Sequence, residues 1–171
     1  MNDIYTYTVP IFIKTLGGLK SVLVKAEAYA KEEGISEETL LADRLAPDMF
    51  PLIKQVQMSC DNAKNSTARL AGVEAPKYED DEKTFAELLA RVDKTITFIQ
   101  SVPESSFTGA AERHITLPYY EGKYLTGFDY AREYALPNFF FHLVTSYALI
   151  RKNNVPIGKA DYANNINFKA I

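Results

Sequence analysis

The chain has 171 residues, 47% of them hydrophobic and 24% charged, with a formal net charge of −3. This is the balance of a globular domain long enough to enclose a core. The acid excess, with no basic stripe, argues against nucleic acid or an anionic membrane as partner. One cysteine, Cys60, excludes an internal disulfide and a Cys-based zinc cluster.

The opening stretch MNDIYTYTVPIF lacks the basic-then-apolar layout of a secretory signal. No run reaches the roughly 18 uninterrupted apolar residues of a membrane span. A soluble, cytoplasmic, single-domain protein over residues 1–171 is the expectation. With 11 Tyr, 10 Phe and no Trp, aromatic rings must fill much of its interior.

The first long helix is predicted from about Thr6 to Lys31. Val9, Phe12, Leu16, Leu19, Leu23, Ala26 and Ala30 recur at alternating three- and four-residue steps. Such a seam favours helices packed roughly 20° from antiparallel, as in a bundle. Pro10 is tolerable if it falls in the first turn. Gly17-Gly18 reads as a close helix–helix approach or a slight kink. Gly34 closes the helix, and Ser36 starts a short one over ISEETLLADRL.

The second long helix is predicted from Met49 or Pro51 to Leu70, closed by Gly72. Met49, Ile53, Val56, Cys60, Ala63, Thr67 and Leu70 repeat the seam, and Gln57, Asp61 and Lys64 form a polar flank beside it. After a connection rich in charge and proline, Thr84-Phe85-Ala86-Glu87 is a capping box. It opens a third helix with Phe85, Leu88, Val92, Ile96 and Ile99 on one face, ending before Pro103. The acidic run Glu79–Glu82 suits that helix's N-terminus through the dipole.

Between residues 104 and 126 the character changes. His114–Tyr119 and Lys123–Thr126 are β-prone runs around Glu121-Gly122, a predicted hairpin inserted before the last helix. Thr126 caps that helix, and Pro137 should bend it. Tyr134–Arg151 is apolar on almost every side, the mark of a buried element. Asn138, His142 and Thr145 stack along one of its faces. The tail from about residue 155 has turn residues and little periodicity, so it is expected to lie across the bundle or fray.

His142 is the strongest donor in this pattern, either as a general base or as a metal ligand. Asp61 is the carboxylate expected to orient it, with Gln57 and Asn138 positioning a small polar ligand. Thr145 lies on the same stripe. Tyr147 and Arg151, one turn apart, line the groove mouth, where Arg151 can clamp a carboxylate or phosphate. Cys60 sits on a seam as a small hydrophobe, and His114 sits on the hairpin. Gly158-Lys159 lacks the upstream glycine and following Ser or Thr of a P-loop.

The segments RLAPDMFPLIKQVQMSCDNAK and LPNFFFHLVTSYALIRKNNVPIGKADY, with VPIFIKTLGGL near the start, resemble an uncharacterised bacterial family known as a domain of unknown function. That family lies within the DinB/YfiT-like superfamily of four-helix bundles. The resemblance implies a divalent metal, nickel or zinc, held by one His of the second helix and a His-x-x-x-His pair of the last. Some members are thiol-dependent transferases or hydrolases, and many are dimers. The last-helix pair falls on Asn138 and His142, and the second helix offers only Gln57 or Asp61. Two of three implied ligands are therefore missing or replaced, leaving His142 as the lone metal ligand of a degenerate site.

The expectation is an all-α, up-down four-helix bundle with an inserted β-hairpin and an irregular tail. It carries a polar pocket between the second and last long helices that binds a small polar molecule. A metal-dependent transferase or hydrolase and a non-catalytic homodimer are the alternatives.

Overall fold

A computed structural model describes residues 3–163, 166 and 169. The chain runs through α1 (Asp3–Glu33), α2 (Glu37–Ala42), α3 (Leu52–Ala71) and α4 (Phe85–Ser101). After a 3-10 turn (Glu104–Phe107), strands β1 (His114–Ile115) and β2 (Leu125–Thr126) pair. Then come α5 (Gly127–Asp129), a π turn (Tyr130–Ala135), α6 (Leu136–Lys152) and α7 (Lys159–Tyr162). The architecture is an all-α bundle of α1, α3, α4 and α6, with a small hairpin before the last member.

The seams drive this packing. Val9, Phe12, Leu16, Leu19, Leu23, Ala26 and Ala30 of α1 are all buried, as are Val56, Cys60, Ala63, Thr67 and Leu70 of α3. α1 is long and apolar enough to cross a membrane by length and composition. Here its stripe faces α3, α4 and α6 within the bundle core. It begins at Asp3, so Pro10 lies inside the helix rather than in its first turn as expected.

Local chemistry places the ends. Gly72 adopts a left-handed φ of 69° to close α3. Thr84 and Glu87 form the reciprocal capping box that opens α4. Ser36 caps α2 and Thr126 caps α5, each accepting from a backbone N–H three residues on.

The hairpin is shorter than its sequence suggests. Only two rungs form, His114 with Thr126 and Ile115 with Leu125, and residues 116–124 are loop. Pro118 has no N–H to add a rung, and the turn at Gly122 (φ 71°) lies well beyond the paired residues. The hairpin is held down where Gly127 meets the carbonyl of Ala110, since a Cβ at Gly127 would overlap that oxygen.

The Gly17-Gly18 pair divides in role. A Cβ at Gly18 would lie 2.6 Å from the Tyr162 carbonyl oxygen, whereas one at Gly17 would meet nothing within 4 Å. The close approach therefore belongs to Gly18 and is made by α7, which Lys25 also holds through Asp161 at 2.6 Å. The tail crosses α1 as far as residue 163; of the expectation for 164–171, most falls outside the described residues.

The bend expected at Pro137 takes the form of the π turn just before it, in which the Leu136 N–H reaches the Ala131 carbonyl five residues back. α6 itself is not buried all round. Phe141 and Val144 are 56% and 46% exposed, while Phe139, His142, Leu143, Ser146 and Leu149 face inward.

Candidate functional site

α3 presents three polar stripes, and their separation decides the site. Gln55 and Asn62 face α6, whereas Gln57, Asp61 and Lys64 turn toward α4. Lys54, Met58, Asp61, Asn65 and Arg69 line an outward groove. Two positions along a helix rotate a side chain by about 200°. Gln55 and Gln57 thus serve opposite neighbours.

On the α4 side, the fully buried Arg91 collects the carboxylates. Its Nη1 donates to Glu82 at 2.9 and 3.1 Å and to the Glu79 carbonyl at 3.0 Å. Its Nη2 lies 3.0 Å from Asp61 and 2.9 Å from Asp80. Burial would favour the neutral guanidine, but Glu82 and Asp61 reverse that and hold Arg91 charged. Gln57 Nε2 donates to Glu82 at 2.9 Å, and Lys64 Nζ lies 3.0 Å from Asp61. The Tyr78 ring has Lys64 Nζ at 4.0 Å and Lys94 Nζ at 4.3 Å.

This network corrects two expectations. The acidic run does more than sit before a helix, because Asp80 and Glu82 fold back onto Arg91 and pin the α3–α4 connection to the bundle. Gln57 and Asp61 are engaged here, so Asp61 does not orient His142.

The imidazole has a different partner. His142 Nδ1 lies 2.7 Å from Gln55 Oε1, whose own amide nitrogen donates to the Phe50 carbonyl at 3.1 Å. An amide oxygen can only accept, so the neutral imidazole carries its proton on Nδ1. Phe50 stacks at 6.5 Å and the Phe141 ring meets it edge-on at 5.2 Å. Burial lowers the pKa of His142 below its ordinary value.

Asn138 and Asp61 do meet at one cavity, a cleft of about 320 Å³ between α3 and the start of α6. Lys54, Asn62, Asn65, Arg69, Asp80 and Tyr134 add to its polar lining, and Leu117–Tyr119 of the hairpin loop roof it. Asn138 Nδ2 donates to Asn62 Oδ1 at 2.7 Å, leaving its own oxygen for the cleft. Arg69 Nη1 donates to the Tyr130 hydroxyl at 3.2 Å, and Ser66 shares that hydroxyl at 3.0 Å. Asp80, paired with Lys54 and Arg91, is held below the usual carboxylate range although its partial burial opposes this.

The other expected residues lie elsewhere. Thr145 donates back to the Phe141 carbonyl at 2.7 Å, and the Tyr147 ring packs against Tyr162 at 5.9 Å. Arg151 donates to the Val155 carbonyl at 3.2 Å and closes the helix end. Cys60 is fully buried, and desolvation pushes its thiol up to about 12. Exposed His114 stacks on Tyr124 at 3.8 Å.

Asn65, Arg69 and Tyr134 were not singled out in the sequence. Asn65 and Arg69 could have been found one and two turns beyond Asp61 on the same stripe. Arg91 falls three residues after Leu88, on the apolar face itself, so its charge alone hid its burial.

The donors do not suit a nickel or zinc ion. Among the described residues no three His, Cys, Asp or Glu side chains gather into a ligand set. The Asp61 carboxylate already faces Arg91 and Lys64, and the remaining candidates near Asn138 are amides, weak ligands for either metal.

The model of a family described as Domain of unknown function (DUF1993) matches residues 4–163. The chain belongs to this DUF1993 family, within the DinB-like superfamily. The fold is also that of a DinB family member from Shewanella denitrificans known from a crystal structure. That protein is 43% identical over 98% of this chain and 95% of its own, with a TM-score of 0.94. No curated protein matches the chain. The four-helix DUF1993 architecture is thus shared, and the cleft between α3 and α6 lies within the matched residues.

Proposed function

We propose that this DUF1993 protein binds a small polar molecule in the cleft between α3 and α6, without a metal ion. The observation that supports this reading is the juxtaposition of Asn62, Asn65, Arg69, Tyr134 and Asn138 around about 320 Å³ of space. Convergent hydrogen-bonding groups in one concave site are what orient a small ligand. Binding without turnover fits the same geometry. Both carboxylates bordering the cleft are paired with cations, Asp61 with Lys64 and Arg91 and Asp80 with Lys54 and Arg91, and the imidazole of His142 is tied to Gln55 outside it.

The test is ligand-observed NMR with a panel of small amides, polyols, thiols and carboxylates. At least one class should give binding signals in the wild type that vanish in Asn138→Leu while the melting curve keeps its shape. A panel in which no signal depends on Asn138 refutes the reading.

A second reading concerns assembly. We propose that the outward strip of α6, where Phe141 and Val144 lie exposed one turn apart beside Phe50, is a self-association face. Sedimentation equilibrium should give a dimer for the wild type and a monomer for Phe141→Glu; equal masses for both refute it.

A further inference from the structure

Two hollows of different chemistry meet beneath the hairpin. The polar cleft is one. The other, about 300 Å³, is walled mainly by Ile115, Leu125, Tyr120 and Tyr124, with Lys123 and Glu133 also lining it. Leu117 and Tyr134 border both, so the two spaces share a wall. Arg69 borders the polar cleft and a third hollow under the loop, which shares Leu117, Tyr120 and Tyr124 with the apolar one.

Arg69 differs from the cations around Asp61 and Asp80. Lys54 and Arg91 hold Asp80, and Lys64 holds Asp61. Among the described residues Arg69 has no carboxylate within ion-pair distance and spends one donor on the neutral Tyr130 hydroxyl. A guanidinium presents five N–H donors in a planar fork that matches a carboxylate. Asp61 and Asp80 border the same cleft but are taken up by their own cations, so Arg69 is the α3 cation left for an anionic head, and one guanidinium balances one negative charge.

We propose that these adjoining hollows together take a small monocarboxylate with an apolar or aromatic tail. The carboxylate sits on the Arg69 fork, and the tail lies under the hairpin against Ile115, Leu125 and Tyr124. This rests on the reading of the cleft as a ligand site and names the class of ligand. Tail burial between aromatic and aliphatic walls supplies the driving force, and the charge-assisted bonds supply orientation.

Isothermal titration calorimetry with hydrocinnamate, its primary amide hydrocinnamide, and acetate tests it. Hydrocinnamate should bind the wild type about tenfold or more tightly than either, the difference expected for one charge-assisted contact or one buried ring. Arg69→Gln should abolish the preference for acid over amide, and Arg69→Lys should restore part of it. Leu125→Trp, which fills the apolar hollow, should abolish the preference for hydrocinnamate over acetate. If Arg69→Gln fails to fold, Arg69→Lys and Leu125→Trp still decide. Equal binding of acid and amide, absence of hydrocinnamate binding, or either preference surviving its variant overturns the inference. Neutral amides that bind in an Asn138-dependent way would then leave the cleft reading standing, so the two fail separately.

Discussion

Arg91 Nη1 faces both carboxylate oxygens of Glu82, at 2.9 and 3.1 Å, with the Arg91 side chain wholly shut from solvent and Glu82 nearly so. Removing Arg91 leaves Glu82 charged in the interior with only the Gln57 amide and the more distant Lys94 for partners. Arg91→Met should therefore destabilise by about 3–5 kcal/mol in urea unfolding. Arg91→Met combined with Glu82→Leu should recover much of that loss. A double variant no more stable than the single would mean that the pair is not energetically coupled.

Adjacent glycines in α1 should respond with opposite signs. Gly17→Ala adds a methyl group to open space in a helix interior and should stabilise by roughly 0.5–1 kcal/mol. Gly18→Ala drives a Cβ into the Tyr162 carbonyl and should cost about 1–3 kcal/mol, with loss of α7 protection in hydrogen exchange. Thermal unfolding of both variants reads the two signs, and stabilisation by Gly18→Ala would contradict the contact with α7.

The pH response of stability should carry a histidine component. Burial depresses the folded-state pKa of His142, so the unfolded chain binds the extra proton first. The contribution is complete above about 6.5 and is lost as pH falls from there toward the depressed value, with a slope of at most ~1.4 kcal/mol per pH unit. The paired carboxylate of Asp80 has its own window, below its ordinary 3.8. A stability–pH curve should therefore decline in two separate stages on acidification. His142→Asn should flatten the upper stage alone; an unchanged upper slope would assign it to another group.

Desolvation of Cys60 makes the thiolate inaccessible at neutral pH. A disulfide-exchange reagent should leave the native protein unlabelled and react stoichiometrically once urea unfolds it. Prompt native labelling would show that the interior around Cys60 opens readily.

The bundle was legible because seams with a helical period leave few alternatives. Phe12, Leu16 and Leu23 can all be buried together only on a helix packed against others, and the caps at Thr84 and Thr126 mark where helices start. The candidate site was legible in part. Asp61 and Asn138 were expected at one cavity and do line one, but the partner of His142 was sought on the wrong stripe of α3. Periodicity tells which residues share a face and not how far each helix is turned about its axis, and that rotation brings Gln55 rather than Asp61 to the imidazole. Leu117 and Tyr119 were beyond reach for another reason. They belong to a loop beyond a two-rung hairpin, and no local pattern says where such a loop comes to rest. Arg91 is not legible because a charged residue on an apolar face is commonly read as solvent-facing, whereas here Glu82 is buried with it and the partly exposed Asp61 and Asp80 meet its guanidinium.

The π turn ahead of α6 makes the spacing of this segment a structural parameter in its own right. One residue fewer between Tyr130 and Ala135 would restore ordinary α-helical winding and swing everything upstream by about 100° relative to α6. Thr126 and its strand would then point away from α3, and the covering over the cavity would go with them. Side chains within the turn such as exposed Arg132 and Glu133 can vary, but its length cannot, so preserved length across this turn would mark relatives whose loop still roofs the cleft.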